Sequence, residues 1–272
     1  MKTPNLDTII ELYDSFSDIK FFEKNHTYEI SGKKAKTSVS GLISSYEKPF
    51  NTDVIAARVA KKEKVPVKTI LEKWEKNKNY SCHKGSEFHL HVENFLERRI
   101  VPIDREAFVN FMSPKGELFF CENSEIEKYY NEMAILIRNF RNFYEWWKQD
   151  HILIKSEFVI GDKESTICGT IDNLSYNKKT KEFVIFDYKT NKKIERKNSY
   201  GENFLKPFEH ISKCEHTKYS FQLSLYSLIF ERNSPFKIHS SYIVWVAGEN
   251  DYELISPIDF KHEAEMMLSS KN

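Results

Sequence analysis

Asp172, Asp187 and Lys189 interrupt a stretch of the chain that is otherwise rich in Ile, Val, Phe and Thr. Ionised side chains are costly inside a packed core unless they are paired or bound to a cation, so these three need an account. Between the two acids lies Asn177-Lys178-Lys179-Thr180, a turn-forming run, and the midpoint of the interval from Asp172 to Asp187 falls inside it. A symmetric hairpin about that turn sets the two carboxylates opposite each other on adjacent antiparallel strands, with Cα atoms roughly 4.5–5.5 Å apart. Facing carboxylates repel, and a divalent cation relieves that repulsion. Residues two apart share a face of a strand. Lys189 therefore projects beside Asp187, where the apolar run Phe183-Val184-Ile185-Phe186 ends. An ion pair at a strand end is the plain structural alternative.

Two acids and a lysine in this arrangement suit hydrolysis of a phosphodiester. Mg²⁺ prefers oxygen ligands and retains several waters, so it can bind both a phosphate and a nucleophile and lower the pKa of that water. Lys189 then orients or deprotonates the water, or stabilises charge on the phosphate.

The elements that must position these residues follow from pattern. Apolar positions at helical spacing predict a helix over 5–16 and another over 124–148. Strand 27–30, the turn Ser31-Gly32-Lys33 and strand 35–39 read as a small hairpin. Ser38 or Ser40 is placed to cap a short helix through Leu42 and Ile43. Further helices are expected over 52–60, 67–76 and 86–98, interrupted at Pro66 and bounded by Gly85. Segment 102–122 shows no pattern. Strands are expected over 152–160, 166–176 and 182–189, then a helix over 215–231, a strand over 238–246 and a closing helix over 259–269. The fold class is α+β, or mixed α/β, with a central mixed sheet flanked by helices. A mainly helical N-terminal elaboration over 1–123 is expected to precede a core over 124–272.

Several short motifs in one order resemble the PD-(D/E)XK nuclease superfamily. They are Glu157, then Gly169-Thr170-Ile171-Asp172, then Asp187-Tyr188-Lys189-Thr190. Two more resemble its RecB-like exonuclease branch: the helical histidine in Gly85-Ser86-Glu87-Phe88-His89, and the later Gln222-Leu223-Ser224-Leu225-Tyr226. Lys36-Thr37-Ser38-Val39-Ser40, Trp74, Glu93 and Ile243–Gly248 are similar to stretches of bacteriophage and mitochondrial genome-maintenance exonucleases. Ile171 stands where the superfamily's name has proline, an exchange common in this branch. The resemblance implies a restriction-endonuclease-like core. It makes His89, Asp172, Asp187 and the Tyr188 backbone carbonyl metal ligands, Lys189 the catalytic lysine and Glu157 an accessory acid. Gln222 and Tyr226 would face the DNA end. One or two Mg²⁺ or Mn²⁺ ions are the implied cofactor.

Composition bounds the alternatives. The chain has 272 residues, 40% of them apolar, with 8 Gly and 8 Pro, which speaks against a repeat array or a flexible linker protein. Its 41 basic and 40 acidic side chains give a net charge of +1, so attraction to phosphate must be local. Candidate patches are Lys61, Lys62 and Lys64; Lys178, Lys179 and Lys181; and Lys189, Lys192, Lys193, Arg196 and Lys197. Cys82, Cys121, Cys168 and Cys214 are scattered, with none after Cys214, so no iron–sulfur cluster is expected. No signal peptide or membrane span is expected, which leads to a cytoplasmic location. The lysine- and asparagine-rich composition and phage-like motifs suggest a viral origin, with replication or recombination proteins of virus or host as partners. Aromatic Tyr46, Phe50 or Trp74 can stack on single-stranded bases or pack in a core. The leading expectation is a metal-dependent DNA exonuclease acting at ends or on single strands. The alternatives are a structure-specific endonuclease with the same centre, or a catalytically silent DNA-binding module.

Overall fold

The computed structural model describes residues 4–99, 123–198 and 200–270. The patternless segment 102–122 lies outside them. The chain is a mixed α+β protein and forms two compact units, Met1–Glu47 with Asn139–Asn272, and Lys48–Arg138. The expected division at residue 123 differs from this one. The first 47 residues group with the C-terminal sheet because part of them is built into it.

In the larger unit, helix α1 (Leu6–Ser15) starts where the Asn5 side chain accepts the Thr8 amide at 2.8 Å. A small antiparallel sheet follows, formed by β1 (Ile19–Phe22), β2 (Thr27–Ile30) and β3 (Lys33–Lys34). Ser31 and Gly32 both take positive φ, as a two-residue hairpin loop requires. The expected second hairpin strand over 35–39 is not formed there. Thr37–Ser38 (β4) instead pairs in parallel with the main sheet, and β1 takes the free edge of β2. Ser38, not Ser40, then caps the short helix α2 (Val39–Ser44), accepting the Gly41 amide at 3.1 Å.

The main sheet contains β5 (His151–Asp162), β6 (Ile167–Asn177), β7 (Glu182–Lys189), β8 (Ile238–Trp245) and β9 (Glu253–Ile255). Strand β5 pairs along the whole of β6, so β7 and β4 must share the other edge of β6. They take opposite ends of it: β7 pairs with residues 173–177 and β4 with residues 167–168. Residues 169–172 are left between them, and the candidate site is there. Strand β8 runs parallel to β7 and carries β9, a three-residue edge strand too short to be read from pattern.

Alternate residues of β7 divide between two helices. Phe186 and Tyr188 pack on Phe143 of helix α5 (Asn123–Asp150). Phe183 packs on Phe230 of helix α6 (Glu215–Asn233), in a core with Ile185, Leu174 and Phe221. Each such ring, fully buried, contributes about 2–3 kcal/mol. Helix α7 (Lys261–Ser269) closes this core through Ala264, Met267 and Leu268. Among the described residues no helix is long and apolar enough to cross a membrane.

In the smaller unit, helix α3 (Thr52–Glu63) is capped by Asn51 and ends at Lys64, whose φ is +57°. After Pro66, helix α4 (Val67–Leu96) runs unbroken for 30 residues. The two helices expected over 67–76 and 86–98 are therefore one. A glycine inside a helix costs about 1 kcal/mol, too little for Gly85 to end one that packing supports. That packing includes the buried Lys84 ammonium on Glu132 at 2.6 Å and the Tyr80 ring against Tyr129. Ala56, Ala60 and Ile70 form a small core of their own, with Trp74 beside it.

Candidate metal centre

Strand register sets the acids in a row. Strands β6 and β7 pair from Asn177↔Glu182 to Asn173↔Phe186, so the next position along would oppose Asp172 to Asp187. This is the register that the turn position predicts. The backbone ladder stops one step short. In its place the Asp172 carboxylate accepts the Tyr188 amide at 2.8 Å. On the other side, Ser156↔Asn173 and Phe158↔Ile171 bracket Glu157 and Asp172. Glu157 thus faces Asp172, and carboxylate oxygens of the two lie within 4.8 Å of one another. One cation can take both. Glu157 holds φ at +48°, a left-handed conformation that costs a non-glycine residue roughly 1 kcal/mol or more. Strain of this kind in mid-strand persists where the surroundings fix the side chain.

Asp172 and Asp187 are buried, Asp187 fully. Lys189 is the counter-charge that the structure supplies, its Nζ 2.5 Å from Asp187 Oδ2. Burial pushes the lysine pKa down, but the adjacent Asp187 and Asp172 outweigh it and hold the ammonium above its usual range. Lys189 also lies over the Tyr219 ring, 4.6 Å from its centroid. Three carboxylates thus stand close to one another at this end of the sheet, with the Lys189 ammonium beside them. Carboxylate oxygens placed in this way could hold a metal ion.

Helix α6 covers this face of the sheet with Tyr219, Gln222 and Tyr226, spaced three and four residues apart along one side. Gln222 Nε2 donates to the Tyr226 hydroxyl at 2.9 Å. Burial, and then the field of Asp187, raise the Tyr226 pKa well above the ordinary tyrosine value, so the phenol stays neutral. Its ring packs on Gly169: a Cβ there would stand 2.5 Å from Tyr226 Cε1. The glycine of Gly169-Thr170-Ile171-Asp172 and the Tyr226 ring are therefore two sides of one contact. Tyr28 reaches the same strand from β2, its hydroxyl 3.0 Å from Thr170 Oγ1.

Other expected residues are placed as follows. Tyr188 lies between Asp187 and Lys189 with its ring on the α5 face, where its hydroxyl accepts Asn173 Nδ2 at 2.8 Å. His89 is half-buried in α4 of the smaller unit, and Glu93 one turn on receives Arg99 at 3.5 Å. Lys192 and Lys193 are exposed just after β7, and Lys193 is paired with Glu195. Tyr46 is a core residue, packed on Phe208 with its hydroxyl 2.5 Å from Ser270 Oγ. Phe50 is 65% exposed, with its ring centroid 6.0 Å from that of Trp74. Sequence reasoning passed over Tyr219, Asn191 and Tyr28. The helical spacing from Tyr219 to Gln222 was the available signal for the first; the other two reach the site only through tertiary contact.

The chain matches no model of a known protein family, and no curated protein is significantly similar to it in sequence.

Proposed function

We propose that this chain is a Mg²⁺- or Mn²⁺-dependent deoxyribonuclease of the PD-(D/E)XK type and its RecB-like branch, acting as an exonuclease at DNA ends or on single strands. The observation that carries the reading is the row Glu157, Asp172 and Asp187 across three adjacent strands, with Lys189 at its end. Asp172 and Asp187 are the proposed principal ligands, with the Tyr188 carbonyl beside them and Glu157 as the accessory acid. His89 is a further proposed ligand on the sequence resemblance. A divalent ion held by these groups supplies charge neutralisation at a phosphate and a water of lowered pKa. Lys189, drawn to the acids at one side of the row, is positioned to orient the attacking water or to stabilise charge on the phosphate oxygen. Gln222 and Tyr226 offer neutral hydrogen-bonding groups toward the same place, suited to the end of a strand. Lys192 and Lys193 extend positive charge from the end of β7 for the DNA backbone.

The test is cleavage of end-labelled DNA, single- and double-stranded, linear and covalently closed, with Mg²⁺ or Mn²⁺. Linear substrates should be degraded and circles left intact. Asp187→Ala and Lys189→Ala should each lower the rate by about a hundredfold or more while circular dichroism shows the fold retained. Cleavage at the wild-type rate in both variants sinks the assignment. Cutting of a closed circle replaces exonuclease with endonuclease.

A further inference from the structure

Lys189 has a carboxylate on one side and an aromatic face on another. Asp187 lies at 2.5 Å, and the face of Tyr219 lies 4.6 Å from the ammonium. The ring is itself fixed. The Tyr219 hydroxyl donates to Asn191 Oδ1 at 2.7 Å, and the Asn191 carbonyl accepts the Trp245 indole N–H at 2.7 Å. The Lys189 carbonyl accepts the Val246 amide at 3.1 Å, so the backbone of the lysine is tied to the same end of β8. Lysine stem, ring and hydroxyl anchor therefore form one braced unit at the exit of β7. The Tyr219 ring also packs against the main core, whereas the Asn191 side chain that anchors its hydroxyl is exposed.

We propose that Tyr219 is a positioning residue for Lys189, its ring carrying the ammonium when the Asp187 carboxylate is engaged elsewhere. The proposal rests on the nuclease reading for its functional meaning and on geometry for its substance. A carboxylate that binds a divalent ion gives less of its charge to a neighbouring lysine. With that attraction weakened, an unbranched four-carbon chain would swing to solvent. The quadrupole of an aromatic face attracts a cation without competing for the metal. It therefore keeps Lys189 beside the acids in both conditions. The hydroxyl bond to Asn191 sets the tilt of the ring, and loss of that bond should matter less than loss of the ring.

Two independent readouts test this. In protein carrying ¹³C-labelled lysine, the ε-methylene protons of Lys189, identified by their disappearance in Lys189→Arg, should be shifted upfield by the ring. The shift should be reduced but still present in both Tyr219→Phe and Asn191→Ala, each of which removes the hydroxyl bond, and should vanish in Tyr219→Leu. In cleavage assays Tyr219→Leu should lower kcat about tenfold with KM for DNA unchanged, and Tyr219→Phe should restore most of it. Absence of an upfield-shifted lysine, or its persistence in Tyr219→Leu, overturns the proposal, as does an unchanged kcat in an active Tyr219→Leu enzyme. Asn191→Ala alters an exposed side chain and serves if the leucine variant fails to fold. A wild-type protein that cleaves no DNA defeats the nuclease reading, and the proton shifts then still decide whether Tyr219 holds the lysine.

Discussion

Asp172 does two things with one carboxylate. It belongs to the acid row, and its Oδ2 accepts the Tyr188 amide at the point where β6 and β7 part. An amide oxygen can replace it in the second role but is a poor substitute in the first. Asp172→Asn should therefore unfold at nearly the wild-type denaturant concentration. Asp172→Ala, which leaves the buried Tyr188 N–H without its acceptor, should lose about 1–3 kcal/mol. If the row holds a divalent ion, Mg²⁺ or Mn²⁺ should raise the melting temperature of the wild type and of neither variant. Equal stability of the alanine and asparagine variants would remove the structural half of this argument.

At the scale of elements, the junction of α5, β5 and the β6–β7 turn is fastened by a neutral histidine. His151 Nδ1 lies 3.1 Å from the Trp147 carbonyl, and Nε2 lies 3.1 Å from Asn177 Nδ2. Asn177 cannot turn its oxygen to the ring, because that oxygen accepts the Lys179 and Thr180 amides. The imidazole must then donate from Nδ1 and accept at Nε2, and a second proton would set donor against donor. Burial among Trp146, Trp147 and Phe186 lowers its pKa from 6.5. The Trp147 carbonyl and Asp150 oppose that shift, whereas Lys178 and Lys179 reinforce it. Between the lowered value and 6.5 the unfolded chain binds more protons, so stability rises with pH there. The contribution should be complete above about pH 6.5 and be lost as pH falls towards the folded value. Denaturant titrations at several pH values, with His151→Phe as comparison, should show a shallower acid slope in the variant; an identical slope would discount the histidine. The long periodic elements here were legible in sequence, since α5, β5–β7 and α6 each carry a repeating apolar pattern. Strands β1 and β9 were not, being short edges. Strand β4 was misassigned because its partner, β6, lies far downstream and a parallel pairing leaves no local mark. The acid row was legible because a tight turn fixes register; the aromatic brace on Lys189 was not, because it depends on how α6 lies over the sheet.

For the whole molecule, a net charge of +1 means that any affinity for DNA, as the proposed function requires, must come from local charge and not from a general field. Lys192 and Lys193 are the candidates nearest to the acids in sequence. Glu195 neutralises Lys193, which leaves Lys192 with the larger expected share. Binding of DNA without divalent ions should weaken with salt along a log–log line of shallow slope, roughly 0.9 for each phosphate neutralised. Charge reversal at both lysines should lower that slope by roughly one to two. Fluorescence anisotropy across a salt series measures it, and an unaltered slope would move the DNA path off this loop.

Glu157, Asp172, Asp187 and Lys189 all fall within the single uninterrupted stretch from His151 to Lys189. Its two hairpin turns are closed locally. Asp162 accepts the Ser165 amide at 2.9 Å in the first, and Asn177 accepts the Lys179 and Thr180 amides in the second. Closing a short loop costs less entropy than closing a long one, and contacts between near neighbours form fastest. The acid-bearing end of the sheet should therefore be able to form early: a nascent chain can bring its acids together before β8 and α6 are made. Circular permutants opened after β7 would inherit it whole.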